Sequence, residues 1–148
     1  MKRRKRTVPK PAGRQAECGQ IEDRLATLDE ATRESVQVRM LLIQTAMRRG
    51  DLAEAAKRLN DAKAKYPSVV LVHVLEAELL AAQGRLDEVA GSLQQTIKQF
   101  PQAIEPVQSL ALMLYRQKNM EQCESVLNEA IGRMEQPDSR RMLGLLLA

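Results

Sequence analysis

Apolar and polar positions along this chain follow a helical pattern that restarts every 34 residues. Gly50-Asp51-Leu52-Ala53-Glu54-Ala55-Ala56 returns as Gly84-Arg85-Leu86-Asp87-Glu88-Val89-Ala90, and more faintly as Lys118-Asn119-Met120-Glu121-Gln122-Cys123-Glu124. The same interval relates Leu59, Leu93 and Leu127, and separates Pro67 from Pro101. A fixed period of this length marks stacked helix-turn-helix units, none of which buries its apolar face alone.

Each period predicts two helices, A and B. In the first unit, helix A runs over about 34–48 with Val36, Val38, Leu41, Leu42 and Ala46 inward. Gly50 ends it, because glycine tolerates the left-handed cap. Asp51 then caps helix B, and Glu54 three residues on forms a capping box. Asn119 and Gln122 echo that pair, whereas Arg85 breaks it. Leu52, Ala55, Ala56, Leu59 and Ala62 form the buried face of helix B, which Tyr66-Pro67 stops. The units span about 36–69, 70–103 and 104–136, together the region 34–135. The branched run Val69 to Leu75 favours a strand by propensity. Its place in the period assigns it instead to a central helix A, apolar over most of its circumference.

Either side of the units the pattern changes. Residues 1–16 are basic, contain proline, lack periodicity and read as a disordered tail. Residues 17–33 hold a short amphipathic helix, at about 19–31, with Ile21, Leu25 and Leu28 at spacings of four and three. Residues 137–148 look like the opening of a further helix A that stops on apolar residues. A repeat array needs a polar end cap. That end therefore reads as a truncated repeat of a longer chain or as a surface that docks, with a second copy joined through the C-terminal helix as one occupant.

Composition sharpens this picture. A chain of 148 residues with 44% apolar side chains can build one domain's core. Aromatics are 2%, only Tyr66, Phe100 and Tyr115, so the core is aliphatic. The net charge of +4 is uneven: Lys2, Arg3, Arg4, Lys5, Arg6, Lys10 and Arg14 leave 16 basic against 19 acidic residues elsewhere, a balance of −3. Cys18 and Cys123 share no motif and read as free thiols. No apolar run spans a membrane and no apolar stretch follows the basic start, so a cytoplasmic location is expected.

The columns resemble those of the tetratricopeptide repeat family over about residues 35–135. Its small helix-B positions are matched by Ala55, Val89 and Cys123, then by Ala62, Thr96 and Ala130, its bulky ones by Leu59, Leu93 and Leu127, and its prolines by Pro67 and Pro101. Ala77 and Ala111 fit the small position of helix A. Ile43 does not, and Arg39, His73 and Val107 stand where the family has an aromatic residue. Lys118 replaces glycine and Glu135 replaces proline. The resemblance implies an all-α, right-handed α-solenoid whose A helices line a concave groove for a peptide or helix of another protein. Projected onto this chain, the groove holds Gln37, Met40, Gln44 and Met47, then Leu71, Val74, Glu78 and Ala81, then Glu105, Gln108, Leu112 and Tyr115. Met40, Gln44, Met47, Leu71, Val74, Glu78, Leu112 and Tyr115 are the candidate contacts. The same side chains would serve equally as packing between helices, or lie beneath the helix at 19–31. A grip on carboxylate tails, which some members have, is disfavoured, because Met40, Gln44 and Glu105 stand at the corresponding positions.

Little in the chain points to chemistry. His73, the only histidine, lies on an apolar helix without a partnered base and reads as a packed residue. No metal-ligand cluster or phosphate loop appears, so no cofactor and no enzymatic activity are expected. The tail residues Lys2, Arg3, Arg4, Lys5 and Arg6 suit phosphate backbones, anionic lipid or an acidic protein, or simply a solubilising terminus. No aromatic is interleaved for base stacking. The expected function is a non-catalytic protein–protein scaffold. The alternatives are a nucleic-acid-associated scaffold anchored by the tail, or the repeat fragment of a larger protein.

Overall fold

The computed structural model describes residues 11–26 and 35–147. Among them the chain forms eight α-helices and no strand: α1 (Pro11–Ala26), α2 (Val36–Arg49), α3 (Leu52–Lys65), α4 (Val70–Ala82), α5 (Leu86–Gln99), α6 (Glu105–Arg116), α7 (Met120–Arg133) and α8 (Pro137–Leu145). None is long and apolar enough to cross a membrane.

The 34-residue period is repeated in backbone hydrogen bonds. Gly50, Gly84 and Lys118 close α2, α4 and α6 with φ of 81°, 77° and 59°. The residue after each donates its N–H back to the last turn: Asp51 to Ala46, Arg85 to Leu80 and Asn119 to Leu114, at 3.0, 2.9 and 3.0 Å. These paired bonds satisfy carbonyls that a helix end otherwise leaves open. Lys118 adopts the left-handed conformation without glycine's freedom, at a cost of about 1–2 kcal/mol. The B helices end alike. Tyr66, Phe100 and Met134 donate to Ala62, Thr96 and Ala130 at 2.8, 2.8 and 3.0 Å.

The expected capping boxes form by half. Asp51 accepts from the Glu54 amide at 3.1 Å. The Asp51 amide is already engaged by Ala46, so Glu54 turns to Arg58 at 2.7 Å instead. Asn119 likewise accepts from the Gln122 amide at 3.3 Å, and its own side-chain amide reaches the Gln122 side chain at 2.8 Å. Arg85 offers no cap and holds Glu88 through two contacts of 2.6 and 2.5 Å.

Each helix packs on the next, and α2 also meets α4, as α4 meets α6. No comparable contact joins α3 to α5 or α5 to α7. The A helices thus stand closer together than the B helices, the packing expected of a stacked helical solenoid. Two aliphatic cores result. One gathers Met40, Ile43, Ala46, Ala55, Leu59, Ala62, Val72, Leu75 and Leu79. The other runs from Ala77 through Leu93, Leu110 and Leu127 to Met134 and Leu143. Helix α4 serves both, with Val72, Leu75 and Leu79 in the first and Ala77 in the second. Burial of Val72, Val74 and Leu75, with Val69 packed against the first core, accounts for much of the apolar run Val69 to Leu75 without a strand.

Three expectations need correcting. Leu41 was expected inward but is exposed; Met40 and Ile43 are buried instead. Met40, Ile43 and Ala46 face α3 and α4 in the first core, while Ser35 caps the start of the helix, its hydroxyl accepting from the Val38 amide at 3.4 Å. Residues 11–16, read as tail, are helical. Arg14, Gln15, Ala16 and Glu17 are strong helix formers. Met134 was not singled out, yet it is fully buried at the end of the second core. Helix α1 packs on α2, with Cys18 buried and Glu22 paired to Arg49 and, at 4.0 Å, to Arg58. Leu28 and the rest of the expected helix past Ala26, to residue 31, lie outside the described residues. Helix α8 sets Leu143 in the second core and leaves Met142, Leu145, Leu146 and Leu147 exposed.

Candidate binding surface

The outward face of α2, α4 and α6 carries two adjoining cavities. The smaller, about 370 Å³, lies between α2 and α4 and is lined by Gln44, Met47, Arg48, Glu78 and Ala82. The larger, about 560 Å³, opens between α4, α5 and α6 over Val74, Ala77, Leu86, Leu112 and Met113, with Arg116 and Gln117 among its lining. Glu78 lines both. A third cavity of about 340 Å³ follows, lined by Gln108, Ala111, Leu112, Tyr115, Cys123, Leu127 and Leu146. Leu112 joins it to the second. The three cavities therefore adjoin through Glu78 and Leu112.

The period explains this row. Positions 44, 78 and 112 share one place on successive A helices, as do 48, 82 and 116. Outward side chains meet only their counterparts one unit away, and the small Ala81 and Ala82 leave room between α2 and α6. Leu112 is 50% and Tyr115 58% exposed. Single exposed leucines are ordinary, but an exposed pair beside two cavities is a contiguous apolar patch.

Glu78 is the only acid among the residues lining these three cavities. Its carboxyl is raised above the ordinary glutamate range, chiefly because the surrounding protein displaces water, while the charge of Arg48 partly opposes the shift. Arg48 lies on the preceding A helix and Arg116 on the following one.

Gln44, Met47, Val74, Glu78, Leu112 and Tyr115 all line this row of cavities, although Val74 is only 4% exposed and serves as floor. Met40 does not take part. It is 3% exposed and packed in the first core, so it presents no surface to a partner. Leu71 is 38% exposed but lies outside the three cavities. The sequence reading missed Arg48, Leu86 and Arg116. Leu86 could have been found from the row Leu52, Leu86 and Met120, apolar in all three units at the start of helix B. Lys2, Arg3, Arg4, Lys5 and Arg6 lie outside the described residues.

The opposite side holds a cavity of about 570 Å³ lined by Lys63, His73, Glu76, Arg85, Glu88 and neighbours. Its charges are satisfied internally: Lys63 pairs with Glu76 at 2.7 Å and Arg85 with Glu88. A ring nitrogen of His73 sits 2.8 Å from the Pro67 carbonyl oxygen, and its ring centroid is 5.3 Å from that of Phe100. His73 thus ties the turn after α3 to the end of α5. Among the described residues no group of three or more His, Cys, Asp or Glu is placed to hold a metal ion.

No family model matches the chain, and no solved structure matches it. Among curated proteins it is similar to the TPR repeat-containing protein PA4667 of Pseudomonas aeruginosa, 25% identical over 101 residues. The match covers 68% of this chain and 17% of that relative, so the chain corresponds to a small part of the longer protein. The likeness agrees with tetratricopeptide-like repeats.

Proposed function

We propose that this chain is a non-catalytic interaction scaffold: a right-handed tetratricopeptide-like solenoid whose A helices form a concave groove for an apolar segment of a partner protein. The observation that carries this reading is the row of adjoining cavities over α2, α4 and α6, with Leu112 and Tyr115 exposed at its centre and far end. Grooves with apolar floors and a few polar groups are the usual form of a binding site. Met47 adds an adaptable wall, because methionine repacks readily around different apolar shapes.

The test uses a random peptide library selected on the full chain. Selected peptides should bind the Leu112→Glu variant at least about tenfold more weakly, since a charge must then be buried against apolar side chains. Circular dichroism should show unchanged helicity, because Leu112 contributes to neither core. Peptides that bind the variant as well as the unaltered chain would place the binding site elsewhere.

A further inference from the structure

Glu78 stands at the centre of the groove, on the middle A helix, where the first two cavities meet. Any segment long enough to fill both must cross it. Among the described residues its carboxylate accepts no hydrogen bond, and Arg48 acts on it only through its charge. In the empty groove Glu78 is exposed, so its carboxylate faces water. An occupant strips that water away.

We infer that the segment held in the groove carries one cationic side chain, lysine or arginine, opposite Glu78, with apolar side chains beside it to fill the cavity over Val74, Leu86 and Leu112. This rests on the groove reading above and specifies the partner's chemistry.

The argument is one of discrimination. Covering an ionised carboxylate with an apolar residue takes its water away and supplies no hydrogen-bond partner in return, which disfavours such an occupant. Covering it with an acid adds repulsion. A lysine or arginine supplies both the charge and the N–H donors that the carboxylate lacks. Sites built around a polar group reject occupants lacking the complement far more strongly than apolar pockets reject a changed shape. The flanking arginines do not reverse the preference. Arg48 is already partly offset by Glu78, and Arg116 lines only the larger cavity, not the one between α2 and α4. Partial burial already raises the Glu78 carboxyl, although the residue is exposed in the empty groove.

The experiment takes peptides selected on the full chain that lose binding on Leu112→Glu, and so depend on the groove. Each lysine or arginine in them is replaced in turn by norleucine. Affinity for the unaltered chain and for Glu78→Gln is then read by fluorescence polarisation. One position should weaken binding to the unaltered chain by about tenfold, and binding to Glu78→Gln by about twofold or less, the coupling expected of two groups in contact. Groove-dependent peptides with no such position would overturn the cation and leave the groove standing. Peptides indifferent to Leu112→Glu would overturn the groove, and the cation with it.

Discussion

At the ends of α2, α4 and α6 the backbone repeats one conformation with different residues, while along the outward face of those helices the side chains change from unit to unit. Gly50, Gly84 and Lys118 share a left-handed conformation and the same pair of returning hydrogen bonds. Gln44, Glu78 and Leu112 share a position and nothing else: an amide, an acid and an apolar chain. The turns and core columns answer to constraints internal to the stack, so they recur. The outward face answers to nothing inside the molecule, and its variation is where specificity for an occupant resides. Substitutions in the two regions should therefore differ in kind.

The largest effect belongs to a recurring core column. Leu93 is 1% exposed in the second core, at the position that Leu59 and Leu127 hold one unit to either side. Leu93→Ala should lower unfolding stability by about 2–5 kcal/mol, the range for a fully buried leucine that leaves a cavity. Urea titration followed by circular dichroism reads this directly. A loss below about 1 kcal/mol would mean that the units do not depend on shared packing, and the contrast with the outward face would fail.

The recurring columns were legible because each rests on a residue type with one physical job. The glycines predicted helix ends, Asp51 and Asn119 predicted caps, and the leucine column predicted the core. Met134 and Lys118 were harder, since at those places the backbone hydrogen bonds, not the side chain, preserve the repeat. The phase of α2 was misread by one residue: Leu41 and Met40 are both apolar, and only packing against α3 and α4 decides between them. The outward face was legible as a set of positions but not as a surface. Which of them line cavities depends on the depth to which α4 and α6 approach their neighbours, and no period reports that. Met40 sank into the core for this reason, and Leu86, Arg48 and Arg116 were overlooked.

A smaller effect tests the turns, and its sign should differ between equivalent positions. A Cβ at Gly84 would meet nothing within 4 Å, so only its φ of +77° opposes a side chain. Gly84→Ala should then lose about 1–2 kcal/mol. Lys118→Gly, at the matching place, should gain up to about 1 kcal/mol by relieving the same conformation, less the extra freedom glycine has when unfolded. Thermal melts of both variants make the comparison. Equal signs would show that side-chain contacts, not the shared backbone geometry, hold the turns.

The smallest effect lies on the outward face, and its direction with pH identifies it. The folded chain raises the Glu78 carboxyl above its unfolded value. A raised carboxyl means that the folded state holds the proton more tightly. Its contribution to stability is therefore fully present below the ordinary glutamate range and is lost as pH rises through the raised value. At neutral pH the ionised side chain is a small penalty, held in check by Arg48. Glu78→Gln removes the charge while keeping the shape, so it should unfold at slightly higher urea than the unaltered chain at neutral pH. That advantage should shrink to nothing as pH falls below the ordinary glutamate range. Arg48 on α2 and Arg116 on α6 are the other charged residues lining these cavities. An advantage that persists unchanged in acid would remove the desolvated carboxylate from the groove. A destabilised variant at neutral pH would show that Arg48 already satisfies Glu78, and that an occupant needs no cation of its own.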